Sequence, residues 1–356
     1  MTTAGSADTG PMRIRIALDL LGGDAGADVV LDAALRAVDA DPALDLVLVG
    51  PDDVATDLIA ARGAQERVSS GRLALASAAS AVAMDEDPVA AVRHRPDCSV
   101  RVATELLHAG SVDALVSIGH TGAALASATF GLRRLAGTTR PAVAVIVPTL
   151  AGEVVLLDAG GTPDANADLL AQFALLGSAY AESLGVTRPR VGLLTIGTED
   201  GKGDELRRRA ATLLERLPID YVGGVESGAL AHGGVADVVV TDGFTGNVVL
   251  KAIEGAAEAS LERAARAYDD EEPAREVARR LRAGAHAGAV LLGVDGVCVV
   301  GHGASTAEEV VAYVALACRA VDEQLIARTA ARLGELVSAR RAQLPTRISG
   351  TEQAHA

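Results

Sequence analysis

ADVVVTDGFTGNVVLKAIEGAAEASLERAARAY, residues 236–268, holds the repeating unit of this chain. The run ADVVVTDG (236–243) is short, valine-rich and closed by Asp-Gly, which predicts a buried strand ending in a turn. From Asn247 onward, NVVLKAIEGAAEASLERAARAY predicts a long helix. Two glycines, Gly243 and Gly246, stand at the junction beside an acid (Asp242), a hydroxyl (Thr245) and an amide (Asn247).

The same alternation extends in both directions. Upstream, RIALDLLGG (15–23) predicts a strand and a glycine turn, 28–40 a helix, LDLVLVG (44–50) a strand and 54–63 a helix. A helix near 100–109 leads to the strand VDALVSIG (112–119), and TGAALASATFGLRRLAG (121–137) reads as helical. AVAVIVPT (142–149) and EVVLLDAGG (153–161) read as strands, 167–185 as a long helix, VGLLTIG (191–197) as a strand and 205–217 as a helix. Downstream, AVLLGVDGVCVVGHG (289–303) predicts a strand pair, and 306–337 one or two closing helices. Strand and helix alternating at this spacing predict an α/β fold with a mostly parallel sheet covered on both faces. No internal repeat is visible. The stretch 269–288, opening on Asp-Asp-Glu-Glu, reads as a solvated excursion. The glycine turns fall mainly at the carboxyl ends of the expected strands, where open α/β sheets bind ligands.

Composition narrows the function. The chain has 356 residues, no Trp, four Tyr and three Phe, so its core must be aliphatic. A net charge of −15 argues against nucleic acid, which needs clustered positive charge and, for single strands, aromatic platforms. Cys98, Cys298 and Cys318 are odd in number and lack metal-type spacing, so they read as reduced thiols of a cytoplasmic protein. The opening MTTAGSADTGP has no basic stretch followed by an apolar one and reads as a tail, not a secretory signal. The longest apolar run, 141–158, is interrupted by Pro148 and Glu153 and is not a membrane span.

Of 32 basic residues only two are lysine, Lys202 and Lys251. Both lie near glycine turns, in GTEDGKGDE and TDGFTGNVVLK. A compact ammonium differs chemically from a planar guanidinium. Lysine kept at these places in an arginine-rich chain points to a site for an anion such as phosphate. The Lys202 loop is not a P-loop, because three residues separate Gly197 from Gly201 and Gly203 stands where Ser or Thr belongs. A dinucleotide fingerprint is also missing after the first strand.

Two further turns carry polar chemistry. SIGHTGAA (117–124) sets Gly119, His120, Thr121 and Gly122 at a strand-to-helix junction, where backbone N–H groups suit a phosphate or a carbonyl oxygen. The same turn reads equally as a helix cap formed by Thr121. GHGAS (301–305) brings His302, either a packed turn histidine or a group able to change protonation near neutral pH. No cluster has metal-ligand spacing, and GxSxG is absent. The clusters Arg133–Arg134, Arg207–Arg209 and Arg279, Arg280 and Arg282 read first as solvated faces and second as docking spots for an acidic partner.

Taken in order, LDLLGGD, MDEDPVAAVRHRPDCS, SIGHTGAALA, RPAVAVIVPT, LLDAGG, LLAQFALLGSAYAE, PRVGLLTIGTEDGKG, ADVVVTDGFTGNVVLK and LLGVDGVCVVGHGAS resemble the bacterial phosphate acyltransferase (PlsX) family over residues 14–315. The resemblance implies an α/β/α sandwich like the isopropylmalate dehydrogenases and phosphate acetyltransferases. It places one such domain over 12–339, with disordered tails at 1–11 and 340–356 and a charged helical excursion at about 257–288. It implies transfer of a fatty acyl group from acyl carrier protein to inorganic phosphate, giving acyl phosphate for phospholipid synthesis. It further implies a homodimer with transient contact to a membrane acyltransferase and peripheral membrane association, and no cofactor or metal. Lys202, Lys251, Asn247 and His302 match family positions. Lys202, Asn247 and His302 are the expected catalytic set. Gly119, His120, Thr121, Gly122, Asp242, Thr245 and Lys251 are expected to hold substrate.

Several turns depart from the family pattern. His120 replaces Asn, Thr195 and Thr198 replace Asn and Glu, Gly161-Thr162 replaces Ala-Asn, and Gly224 lies in a segment lacking the usual Arg-Asp. The excursion is acidic and rich in Ala and Arg, which suits weak membrane contact at most. These departures motivate a second reading, a catalytically weak paralogue or pathway subunit. A nicotinamide-dependent dehydrogenase on the related fold is a third, and neither its acid set nor its cofactor loop is found.

Overall fold

The computed structural model describes residues 13–24, 26–199, 201–268, 272–282 and 288–343. The strands are β1 (Ile14–Asp19), β2 (Leu44–Gly50), β3 (Leu73–Ser77), β4 (Ala114–Ser117), β5 (Ala142–Thr149), β6 (Gly152–Leu157), β7 (Arg190–Leu194), β8 (Asp220–Val225), β9 (Val238–Val240), β10 (Ala289–Leu292) and β11 (Val297–Val300). The helices are α1 (Ala27–Ala40), α2 (Asp52–Ala61), α3 (Gln65–Ser69), α4 (Pro88–His94), α5 (Ser99–His108), α6 (Thr121–Gly131), α7 (Ala167–Ser183), α8 (Glu205–Leu214), α9 (Ser227–His232), α10 (Gly243–Tyr268), α11 (Glu272–Arg282), α12 (Ala307–Asp322) and α13 (Leu325–Gln343).

All the described strands join one sheet in the order β3-β2-β1-β4-β11-β10-β5-β6-β9-β7-β8. β1, β2, β3, β4 and β11 run parallel; β10 is antiparallel to both β11 and β5, and β6 is antiparallel to β5. β6, β9, β7 and β8 are again parallel to one another. The two parallel sets therefore run in opposite directions. One row of register partners crosses both sets: Leu18, Val116, Val299, Val290, Ala144, Leu157, Val240 and Leu193. That row lies within a residue of the last residue of β1, β4, β11, β6, β9 and β7. The turns leaving both sets start at one level of the sheet, a switch point of the kind at which α/β sheets bind ligands.

Strand side chains alternate between the two faces. Ile16 and Leu18 of β1 join a core with α1, α7, α12 and α13, while Ala17 joins a second core with α5 and α6. In the other set, Val155 and Leu157 face the first core, and Val154 and Leu156 face a third core that includes Leu230 of α9. α7 is apolar around its whole circumference because it is buried on nearly every side, Phe173 and Tyr180 included. Asn166 caps it by accepting from Leu169 N–H at 2.9 Å.

Several expectations are corrected. α6 stops at Gly131, so 132–137 is not helical. β3, β8, α4 and α9 were not anticipated. β8 has no continuous apolar run, since its DYVGGV is half-exposed at the sheet edge. α13 runs through Gln343, past the expected boundary at 339. The tail expected at 1–11, the part of the other tail at 344–356, and the parts of the expected excursion at 269–271 and 283–287 lie outside the described residues.

Candidate active site

Three turns of the first set meet. A Cβ on Gly22 would stand 2.6 Å from Gly119 N, so only glycine lets the turns after β1 and β4 touch. Asp24 N–H donates to Gly303 O at 2.7 Å, and Gly301 N–H donates to Ser117 O at 2.9 Å, which adds the turn after β11. Gly119, His120, Thr121, Gly122 and His302 are thus brought to one place. Beneath them the buried Asp19 accepts from Ser117 Oγ at 2.8 Å and from Leu21 N–H at 3.2 Å. Burial pushes the Asp19 carboxyl up, opposed by the Ser99 and Ser117 hydroxyls and the Leu21 amide.

The cap of α6 is His120, not Thr121. Its Nδ1 accepts from Gly122 N–H at 3.1 Å, and Thr121 is the first helical residue. The ring of His302 behaves alike, with Nδ1 accepting from Ala304 N–H at 3.3 Å. In the neutral ring this leaves Nε2 as the donor. His302 is exposed.

The second set contributes the turns after β6, β9 and β7. Asp158 is fully buried and accepts from the N–H groups of Val143, Gly160, Gly161 and Thr162 at 2.6 to 3.2 Å. Burial pushes this carboxyl up against those amides. The first turn of α10 rests on the same segment: Gly243 N–H donates to Thr162 O at 2.9 Å, and Asn247 packs beside Gly160. Asn247 is exposed there. Further along α10, Glu254 lies within electrostatic reach of both His302 and Lys251. Desolvation raises the Glu254 carboxyl, and the His302 and Lys251 charges oppose that. α10 therefore links the two sets of turns.

Asp242 and Thr245 are not free to receive substrate through all their polar atoms. Asp242 Oδ1 accepts from Thr245 N–H at 2.9 Å, and Oδ2 accepts from Thr245 Oγ1 at 2.8 Å and pairs with Arg207. Burial works to raise the Asp242 carboxyl, but Thr245 and the Arg207 charge outweigh it and hold it below the usual range. Arg207 was expected on a solvated face. Its side chain is 11% exposed, because residues 207, 210 and 214 share the inward face of α8 with the buried Ala210 and Leu214. That spacing was the signal available in the sequence. Arg279 is likewise committed, to Glu276 and Glu308.

Lys202 stands on a loop with Gly201 and Gly203 at positive φ, and its ammonium lies 3.9 Å from Glu199. The side chain is 52% exposed. A Cβ on Gly203 would meet Thr195 Oγ1 and Arg207 Cβ, each at 2.8 Å, so this loop leans on Thr195 and Arg207. Among the described residues Thr195 Oγ1 is buried without a hydrogen-bond partner. Among the described residues no hydrogen bond joins Lys202 to Asn247 or His302, and no group of three His, Cys, Asp or Glu is arranged to hold a metal ion. Burial pushes the Cys298 and Cys318 thiols up to about 12, away from nucleophilic use.

A family model described as "Fatty acid synthesis protein" matches residues 14–328. The chain is 39% identical over 325 residues to a phosphate acyltransferase of Desulfitobacterium hafniense, covering 88% of this chain and 96% of that protein. It is 41% identical over 335 residues to a phosphate acyltransferase of Pseudomonas fluorescens, covering 91% and 98%. Among solved structures it is similar to a phosphotransacetylase from Streptococcus pyogenes (TM-score 0.55, 16% identity, 88% of this chain and 94% of that one). It is also similar to the EutD phosphotransacetylase from Staphylococcus aureus (TM-score 0.53, 17% identity, 86% and 94%). At such identity these two speak for the fold alone, whereas the family model and the relatives span nearly the whole sheet and every turn described above. The chain belongs to the phosphate acyltransferase (PlsX) family of fatty acid synthesis proteins.

Proposed function

We propose that this protein transfers a fatty acyl group from acyl carrier protein to inorganic phosphate, and that the acyl phosphate feeds phospholipid synthesis. The observation that carries the reading is the identity to phosphate acyltransferases along almost their full length. In the reaction a phosphate oxygen attacks the thioester carbonyl carbon, a tetrahedral oxyanion forms, the C–S bond breaks and the thiolate takes a proton. Phosphate is already a nucleophile at neutral pH, so the protein must hold it against the carbonyl and offset charge repulsion. Lys202 holds phosphate, helped by Asn247. The 119–122 turn donates backbone N–H groups to phosphate or oxyanion. His302, with Nε2 as its donor, stabilises the oxyanion or protonates the leaving thiolate. Lys251 adds positive charge on α10, one turn beyond Asn247. No acyl-enzyme is required.

Exposed apolar side chains accompany these polar groups: Ile196 precedes the Lys202 loop, and Phe244 and Val248 flank Asn247. They favour a long acyl chain over acetyl, since an acetyl group has no methylenes to cover them. The partners on this reading are acyl carrier protein, phosphate, a second copy of the chain and, transiently, a membrane acyltransferase. No described helix is long and apolar enough to cross a membrane.

The test is phosphate-dependent release of carrier-protein thiol, run across acyl lengths. Release that requires both phosphate and a long acyl chain is expected. No release from any acyl carrier protein would leave the chain as a non-catalytic pathway subunit.

A further inference from the structure

Arg207 carries an arrangement that the reaction scheme does not use. Its guanidinium donates to Asp204 Oδ2 at 2.9 Å, to Thr245 Oγ1 at 2.9 Å and to Thr241 Oγ1 at 3.3 Å, and it pairs with Asp242. Asp204 is the N-cap of α8, directly after the Lys202 loop, and accepts Arg207 N–H at 2.8 Å. Asp242 immediately precedes α10, and Thr245 lies in its first turn, two residues before Asn247. One side chain thus spans from the end of the Lys202 loop to the turn that carries Asn247.

The loop turns through two glycines at positive φ. Gly201 and Gly203 lack side chains, and a Cβ on Gly203 would run into Arg207, so the loop backbone leans on this arginine. A planar fork can satisfy Asp204, Asp242 and Thr245 together from fixed directions, whereas an ammonium offers one nitrogen. A buried ion pair is weak evidence for stability, since apolar replacements often serve as well, but it fixes geometry.

We infer that Arg207 is a positioning residue that sets the Lys202 loop against the first turn of α10, and so fixes where phosphate sits relative to Asn247. This rests on the reading of Lys202 and Asn247 as phosphate ligands. Arg207→Lys keeps the charge and removes the fork. It should raise KM for phosphate about 10-fold with kcat and KM for the acyl donor little changed, the pattern of a displaced binding group. Arg207→Ala should lose about 10²-fold in kcat/KM for phosphate, the scale of a 1 Å misplacement. Guanidinium ion in the assay should restore part of that loss.

Amide hydrogen exchange gives a readout independent of activity. In Arg207→Lys, exchange should rise together in peptides covering 196–206 and 241–250. Wild-type kinetics and exchange in the Lys variant would overturn the inference. So would a uniform loss in both substrates' parameters that tracks a fall in the melting midpoint. If Arg207→Ala does not fold, the Lys variant decides alone. If the wild type releases no thiol, the functional reading fails first, and the exchange data still show whether Arg207 ties the two segments.

Discussion

Gly246→Ala should cripple the enzyme while the same change nine residues further along one helix should strengthen it. A Cβ on Gly246 would stand 1.9 Å from the backbone oxygen of Asp158. An ordinary carbon–oxygen contact is about 3.3 Å, so the first turn of α10 must retreat by roughly 1.4 Å from the turn after β6. Both atoms are backbone-fixed, and no rotamer relieves the overlap. Overpacking of this kind costs about 1–3 kcal/mol or more. For a chain of this size that is a fall of roughly 1–4 °C in the melting midpoint. Asn247 moves with the turn, and a displacement of about 1 Å costs on the order of 10²-fold in rate. Gly255 has nothing within 4 Å of its would-be Cβ. Gly255→Ala should therefore gain about 0.5–1 kcal/mol from helix propensity and leave rates unchanged. Thermal melts by circular dichroism and phosphate-dependent thiol release measure both effects. Wild-type rate and stability in Gly246→Ala would refute the close approach of α10 to Asp158, and with it the placement of Asn247.

Other outcomes are expected. Lys202→Ala should lower turnover about 10²-fold or more without loss of stability, because its side chain is half-exposed and its ion pair with Glu199 is long, at 3.9 Å; wild-type kinetics would remove it from the site. Asp19 has a raised carboxyl pKa, so it favours the folded state fully below its unfolded value of about 3.9, and that contribution fades as pH rises through the folded value. Asp19→Asn should therefore flatten the fall in stability with rising pH just above that range, read from urea midpoints; an unchanged slope would contradict the burial of a titrating acid. Light scattering should give twice the 36.0 kDa chain mass, and a 36.0 kDa particle at micromolar concentration would contradict the dimer. Sedimentation with anionic vesicles at physiological salt should be weak, since exposed residues of α11 are mainly charged and the net charge is −15; tight sedimentation would show an apolar anchor elsewhere.

The alternation of valine-rich runs with helical patterns determined the α/β class; α7 was legible almost end to end and α10 from Asn247 onward, though α10 starts four residues earlier, at Gly243, within the stretch read as a turn. So was the family, because nine ordered blocks are far more specific than any single turn. The lysine asymmetry singled out Lys202 and Lys251 without any structure. Other features needed the third dimension. β8 is an edge strand with mixed exposure and no continuous apolar run, and β3, at the opposite edge, is a five-residue LALAS without β-branched or aromatic residues. Thr121 looked like a cap because hydroxyls usually fill that place, yet the histidine before it turned its ring onto the Gly122 amide. Arg207 sat in a run of three arginines that reads as solvent-facing. Its spacing to Ala210 and Leu214 hinted at an inward face, but its pairing with Asp242 on a distant turn was decided by the packing of α8. Above all, sequence sets strand order along the chain but not strand direction across the sheet. The reversal at β10 and at the β5–β6 pair brings the carboxyl ends of both parallel sets to one row. The β5–β6 and β10–β11 hairpins are local, but their joining through β10 to β5 and β11 to β4 pairs segments more than a hundred residues apart, and no local pattern records that.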